Sequence, residues 1–262
     1  MANVEMGKAA NTDFFRFIAR KSIVEILRTR IFKYEMIDDN GSLAKAEKLS
    51  GEDYSIIVAY SHADTGEPPR AAEIAIHSAV MGHKKIITPI AQHMDKKLYH
   101  VLGKIIDVTF EIIVTDNSVK KDSSAIARKG DKKYLKTTTD GMGKGKVILL
   151  APQQERLPYL GKPKRAVRAI MGGAEEKNYK KYAFLIIGFD RLNNSKIYTA
   201  KVGACLTREQ VLERATIKAR EVWKNTKIEM PLKFVLKFVD EVIFDEMGKV
   251  VPAEYLQQPT GH

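Results

Sequence analysis

Two kinds of hydrophobic pattern alternate along the chain. Short, nearly continuous apolar runs such as residues 56–60 and 147–151 are typical of strands buried on both faces of a sheet. Longer segments with apolar residues at helical spacing separate them. The predicted strands are YSIIVAYS (54–61), KKIITPIA (84–91), TFEIIVT (109–115), KGKVILLAP (144–152), KYAFLIIGF (181–189) and KIYTAKVGACL (196–206).

The helical segments carry recognisable start and stop signals. Prolines open the segment 68–82 and Gly82 closes it, whereas Thr207 is a good N-cap for 207–226. The pair Gly172-Gly173 predicts a break within 162–176. The predicted helices are 12–32, 68–82, 92–106, 162–176 and 207–226. The basic segment 117–146 is either a helix with long flanks or a loop over the site, and we interpret the lysine-rich part, 120–146, as a solvated loop.

This alternation predicts an α/β fold with a mostly parallel central sheet flanked by helices, preceded by an N-terminal helix. We find no internal repeat and no linker, so we expect a single domain. Within it we expect an N-terminal helical extension (1–50), a core sheet with the functional motifs (51–206) and a C-terminal helical region (207–262).

Composition narrows the range of partners. The chain has 262 residues and a formal net charge of +12, which favours an anionic partner such as nucleic acid, an acidic membrane surface or a phosphorylated small molecule. Its single cysteine, Cys205, excludes an internal disulfide and fits a cytoplasmic location. We find neither a clean signal peptide nor an apolar run of the length, about 18 residues, that a membrane span needs.

The predicted helix 12–32 has arginines and lysines between its apolar residues. The preferred interpretation is a helix packed on the sheet, with its basic residues in solvent. The alternative is an interfacial helix that holds the protein on the inner face of an anionic membrane.

Ligands of open parallel sheets gather at the carboxyl ends of the strands, so the residues that directly follow each apolar run are candidates for chemistry. Ser61 and His62 follow the first predicted strand, with Asp64 and Glu67 just beyond. The corresponding positions after the next three strands are Thr88, Gln92, the segment 115–117 and the segment 152–156.

Two of these positions carry a family resemblance. His62-Ala-Asp-Thr-Gly-Glu67 resembles the His-x4-Asp motif of the glycerolphosphate and lysophosphatidic acid acyltransferases, with Glu67 at the Asp position and Ser61 where the family has Asn. VILLAPQQERLPYLGKPKRAVRAI resembles the family's third block, which ends a strand in Phe-Pro-Glu-Gly-Thr-Arg. IIDVTFEIIVTDN and FLIIGFD stand in the order and spacing of the second and fourth blocks. The resemblance covers about residues 56–190.

The resemblance implies an O-acyltransferase of phospholipid synthesis. An acyl group passes from acyl-CoA or acyl carrier protein to a hydroxyl of a phosphate-bearing lipid precursor, without metal or other cofactor. His62 is the implied general base, and histidine side chains ordinarily titrate near pH 6.5, which suits proton transfer at neutral pH. Glu67 is the implied carboxylate partner, and Asp64 is the alternative if the geometry of Glu67 fails.

The same resemblance implies an anion site. Arg156 matches the third-block arginine, which would bind phosphate through two hydrogen bonds. Lys162, Lys164 and Arg165 lie at the start of the following helix, where backbone N–H groups also favour anions. Gln153 replaces the family's glutamate and Asn117 its second-block arginine, so the acceptor need not be glycerol phosphate or lysophosphatidic acid itself.

Other interpretations stay open beside this one. The remaining histidines show no metal-ligand spacing, and His77 falls on an apolar helical face that is typical of a core position. The glycines of 141–146 precede a strand, which is the wrong order for a phosphate-binding loop, so we expect a plain loop. The alternative function is a nonenzymatic, basic lipid- or nucleic-acid-binding protein. The absence of a nucleic-acid-binding motif argues against nucleic acid as the partner.

Overall fold

The computed structural model describes residues 22, 34–62, 84–91, 104, 108–113, 124–152, 160, 163, 165–190, 197–223 and 229–256. The predicted helix 68–82 lies outside these residues. Of the predicted helices 12–32 and 92–106 the structure describes Ser22 and Lys104, both of which are helical.

A seven-stranded sheet forms the centre of the described structure, in the order β1-β7-β6-β2-β5-β3-β4. All six strands predicted from the apolar runs are present, and an additional strand, β1, lies at one edge. The strands are β1 Tyr34–Ile37, β2 Ser55–Tyr60, β3 Ile86–Ala91, β4 Val108–Ile113, β5 Val147–Leu150, β6 Tyr182–Asp190 and β7 Tyr198–Thr207.

Most strand pairs are parallel. Strands β2 to β6 all run in the same direction, whereas β7 pairs antiparallel with β6, and β1 runs parallel to β7. The carboxyl ends of β2, β5 and β6 therefore meet at one edge in the middle of the sheet. The predicted mostly parallel α/β sheet is confirmed.

Both faces of the sheet are covered, which explains the continuous apolar runs. In β2, Ile57 and Ala59 face one hydrophobic cluster, and Ile56, Val58 and Tyr60 face the other. Successive side chains of a strand point to opposite faces, so a strand enclosed on both sides has no polar alternation.

The described helices pack on these two faces. Helix α1 contributes to the cluster around Ile56, whereas side chains of α2, α3, α4 and α6 contribute to the cluster around Ile57. Their bounds are α1 Ser42–Gly51, α2 Ser124–Met142, α3 Ala166–Glu176, α4 Arg208–Val222, α5 Leu232–Val235 and α6 Val239–Gly248, and a 3-10 helix follows at Ala253–Leu256.

The predicted cap of α4 is confirmed. The Thr207 hydroxyl accepts from the Gln210 backbone N–H, and the Gln210 side chain accepts from the Thr207 backbone N–H. This capping box pairs two N–H groups that a helix start otherwise leaves without partners.

The solvated-loop interpretation of 120–146 is wrong for most of its length, because Ser124–Met142 forms α2. Its inner face includes Tyr134, Thr138 and Thr139, which are buried. Because two of these residues are threonines, the sequence of the buried face looks as polar as that of the exposed face, and the helical pattern is hidden. Of the loop predicted at 141–146, residues 143–146 do lie outside helix and strand, whereas Gly141 and Met142 form the end of α2.

The predicted break at Gly172-Gly173 is also wrong, because α3 runs continuously through both glycines. A Cβ on Gly173 would lie 2.8 Å from Oγ1 of Thr139 in α2, whereas a Cβ on Gly172 would meet nothing within 4 Å. Gly173 therefore allows α2 and α3 to approach closely, and its role is packing and not helix termination.

The C-terminal segment packs directly on the sheet. A Cβ on Gly188 in β6 would lie 2.3 Å from the Val250 carbonyl oxygen, and one on Gly203 in β7 would lie 2.9 Å from Cγ1 of Val250. Only glycine admits this close approach of a backbone to a strand. The residues after α6 are thus integrated into the sheet domain.

None of the helices in the described part of the chain combines the length and the apolarity that crossing a bilayer requires.

Candidate active site

His62 lies at the carboxyl edge of the sheet. Strand β2 ends at Tyr60 and lies between β6 and β5. The register pairs Tyr60 with Ile187 and Ala59 with Leu150, so three carboxyl ends meet around the two residues that follow. The structure therefore places His62 where the ligands of parallel sheets bind.

Ser61 anchors the backbone just before His62. Its N–H donates to the Ile187 carbonyl at 3.0 Å, and its buried Oγ accepts from the Phe189 N–H at 2.9 Å. The first bond continues the β2–β6 ladder, and the second joins the serine side chain to the β6 backbone. Ser61 thus fixes the direction in which the chain leaves the sheet.

The His62 side chain is half-buried and lies near the buried Tyr60 ring. The two ring centroids are 6.1 Å apart, and the ring planes are inclined by 60°. The ring thus has an aromatic neighbour and remains partly exposed at the edge of the sheet. The two implied carboxylate partners, Glu67 and Asp64, lie outside the described residues.

The neighbouring strand β5 reaches the same edge. Ala151 and the buried Pro152 follow its last residue, Leu150. The predicted substrate-binding residues Gln153, Arg156, Lys162, Lys164 and Asn117 lie outside the described residues.

Arg165 is described, and it occupies the N-cap position of α3 with an exposed side chain. The prediction that backbone N–H groups at this helix start would bind a substrate anion needs correction. Asp240 of α6 already occupies them: its Oδ1 accepts from Val167 N–H at 3.0 Å and from Arg168 N–H at 3.2 Å. An external anion near Arg165 would therefore depend on side chains.

Asp240 is a partner of the α3 start that sequence reasoning missed. It lies in the apolar run FVDEVIF, and only 7% of its surface is exposed. Burial raises the pKa of Asp240 to about 6, against the lowering effect of its two backbone hydrogen bonds and of the nearby Arg168 charge. An acidic residue inside an apolar helical run is the signal that could have identified it.

The connection between β5 and α3 has a second contact with the C-terminal segment. The N–H of Leu160, a buried residue, donates to the Tyr255 carbonyl at 2.6 Å. Tyr255 belongs to the 3-10 helix Ala253–Leu256 and packs against the main hydrophobic cluster. Residues near the end of the described chain thus hold this connection.

A second charged cluster lies at the opposite edge of the sheet. Glu175 of α3 accepts two hydrogen bonds from the Arg208 guanidinium, at 2.5 and 2.7 Å, and further ones from Lys180 and the Tyr182 hydroxyl. Burial opposes ionisation of Glu175, but the bonds from Arg208 and Lys180 lower its pKa overall. The cluster joins α3, β6 and α4 far from His62, so we assign it to stability.

The described residues include no group of three or more His, Cys, Asp or Glu side chains that could hold a metal ion.

No protein-family model matches this sequence, and no curated protein is significantly similar to it. The family resemblance therefore depends on the quoted motifs alone.

Proposed function

We propose that the protein transfers an acyl group from a thioester, acyl-CoA or acyl carrier protein, to a hydroxyl of a phosphate-bearing lipid precursor. The observation that carries the proposal is the position of His62. It is the second residue after the central buried strand, its backbone is anchored through Ser61, and its ring is half-buried at the carboxyl edge. The quoted acyltransferase motifs supply the reaction class.

The reaction needs one proton carrier. An unprotonated ring nitrogen of His62 accepts the proton of the acceptor hydroxyl while the oxygen attacks the thioester carbonyl carbon. The tetrahedral intermediate then collapses, the C–S bond breaks, and the imidazolium returns the proton to the leaving thiolate. The products are an oxygen ester and a free thiol, and the enzyme returns to its starting state. A carboxylate, Glu67 or in its place Asp64, orients the imidazole.

The acceptor's phosphate is bound by basic side chains, with Arg156, Lys162, Lys164 and Arg165 as the proposed set. A guanidinium binds phosphate through two parallel hydrogen bonds. Because Asp240 occupies the first-turn amides of α3, these side chains and not the helix start carry the interaction. Gln153 and Asn117 are proposed neutral contacts. The basic surface also favours peripheral contact with an anionic membrane on its cytoplasmic side.

The test is thiol release from a panel of acyl-CoAs, with and without lysophospholipid acceptors. We expect release that depends on the acceptor in the wild type and that disappears in His62→Ala. His262→Ala, which changes a histidine outside the quoted motifs, is the matched control and should retain the wild-type rate. Equal release by wild type and His62→Ala would remove His62 from the mechanism.

A second candidate is binding of an anionic surface without catalysis. Exposed lysines cluster at the amino edge of the sheet, where Lys85 precedes β3, Lys144 precedes β5, and Lys180 and Lys181 precede β6. Such a function predicts affinity for anionic vesicles that falls steeply with salt and does not change in His62→Ala. Acceptor-dependent thiol release would instead support the enzyme.

A further inference from the structure

The C-terminal segment holds the β5–α3 connection at two separate points. At Leu160 the contact is a backbone hydrogen bond to Tyr255, and at the start of α3 it is the Asp240 carboxylate. The two contacts come from different elements, the 3-10 helix and α6. In both contacts, a residue that is distant in sequence binds the segment of chain around Arg165.

Asp240 provides the cap that the sequence near α3 lacks. The first N–H groups of a helix have no partners within the helix and need an external acceptor. Among the described residues, Arg165 at the N-cap position makes no side-chain capping hydrogen bond. The Oδ1 of Asp240 accepts from two of these N–H groups, so a residue of α6 fixes the point at which α3 begins.

We propose that Asp240 is a positioning residue that holds Arg165, through the first turn of α3, where its side chain binds the phosphate of the acceptor. This role rests on the proposed function. Arg165 directly precedes α3, and Asp240 bonds the backbone N–H groups two and three residues beyond Arg165. A shift of the helix start would therefore move Arg165 directly.

Charge and position make separable contributions at Asp240. Arg168 is the cation and Glu241 the acid whose charges act on the Asp240 carboxylate. Asp240→Asn keeps an oxygen that can accept both N–H bonds and removes the negative charge. Asp240→Ala removes both. If position is what matters, Asn rescues the function that Ala loses.

The first measurement is calorimetric binding of glycerol 3-phosphate to the full chain near neutral pH. Because small displacements in a binding site are costly, we expect Asp240→Ala and Arg165→Ala each to weaken binding about tenfold. Asp240→Asn should bind at least as tightly as the wild type. Glu241→Ala is the matched control, since Glu241 is the next residue on α6 and is exposed.

The second measurement is amide hydrogen exchange at Val167 and Arg168. We expect both amides to be protected in the wild type and in Asp240→Asn, and to exchange faster in Asp240→Ala. Loss of a cap costs about 1 kcal/mol, so the folded fraction of each variant is checked first. If Asp240→Ala does not fold, Asp240→Glu replaces it; the added methylene displaces the carboxylate, and the same weakening is expected.

Two outcomes would overturn the proposal. The first is wild-type affinity for glycerol 3-phosphate in a variant whose α3 amides have lost protection, because Asp240 would then be a cap without influence on Arg165. The second is no binding of glycerol 3-phosphate to the wild type.

Acyl transfer is measured separately on the same variants. If acyl transfer occurs, Asp240→Ala should raise the KM for lysophosphatidic acid about tenfold and leave kcat within about twofold, since the binding of the phosphate and not the proton transfer is affected. If no donor and acceptor pair gives thiol release but the binding pattern holds, the proposed acyl transfer fails and the positioning role of Asp240 stands.

Discussion

Replacing Asp240 by Asn should change how the stability of the protein depends on pH. Burial raises the pKa of Asp240 from 3.8 to about 6 in the folded protein. Between these values the folded protein binds a proton that the unfolded chain has lost. The stabilisation from this proton is complete below pH 3.8 and is lost as the pH rises through 6. Asn does not titrate, so the variant lacks this loss.

The magnitude follows from the size of the shift. A change from 3.8 to about 6 corresponds to about 3 kcal/mol of unfolding free energy, since one pKa unit is worth about 1.4 kcal/mol. About 2 kcal/mol of this falls between pH 4.5 and 7.5. The difference in stability between Asp240→Asn and wild type should therefore rise by about 2 kcal/mol across this range. Any constant offset between the two proteins does not enter the comparison.

The assay is urea unfolding followed by circular dichroism at closely spaced pH values. Glu241→Gln serves as the control, because Glu241 is exposed and its charge makes the smallest of the contributions to the raised pKa of Asp240. Its difference curve should therefore change much less with pH than that of Asp240→Asn. A flat difference curve for Asp240→Asn would refute the reasoning, because the carboxylate would then be solvated or fully compensated in the folded state. A difference in stability that falls with pH would mean that the two N–H hydrogen bonds lower the pKa of Asp240 by more than burial raises it.

Four further substitutions test the packing, the charge assignments and the anchoring role of Ser61 by urea unfolding. Gly172→Ala should stabilise the protein by about 0.5–1 kcal/mol, whereas Gly173→Ala should destabilise it by about 1–3 kcal/mol through its close contact with α2. If both substitutions changed the free energy of unfolding in the same direction, the assigned contact between the helices would be contradicted. Glu175→Gln should cost about 1.5–3 kcal/mol above pH 4.5, because Arg208 loses the carboxylate that accepts two of its hydrogen bonds and keeps only the exposed Glu209 as an ionic partner among the described residues. The difference should shrink as acid protonates Glu175, and no loss at neutral pH would show that the pair is dispensable. Ser61→Ala should cost about 1–3 kcal/mol, because a buried backbone N–H of β6 loses its acceptor; an unchanged midpoint would refute the anchoring role.

Strands could be predicted from the sequence because burial on both faces leaves an unambiguous signal. The run around Ile57 has no polar residue that could interrupt it. Strand β1 gave no such signal, since it is four residues long and mostly exposed at the edge of the sheet. Edge strands depend on pairing with a neighbour, here β7, and the sequence does not record that pairing.

The helix errors have a common physical cause. In α2 the buried positions include Thr138 and Thr139, so the amphipathic pattern is hidden. In α3 the local signal of Gly172-Gly173 predicts a break, but the contact with Thr139 gives Gly173 a packing role. In both cases tertiary contacts override local propensity.

The candidate site could be predicted in part. His62 was found because it follows a buried strand, and the structure places it at the predicted edge. Asp240 was not found, because it meets Val167 and Arg168 from more than 70 residues away in sequence. Contacts of this kind depend on the three-dimensional packing of α6 against α3.

The central claim is that His62 transfers the proton in an acyl transfer. The most direct test is mass-spectrometric detection of the ester formed from acyl-CoA and a lysophospholipid, by wild type and by His62→Ala of matched folded fraction. The account predicts ester in the wild type and a rate at least about 10²-fold lower in the variant, the usual contribution of a general base. Ester formation at equal rates in both proteins would contradict it.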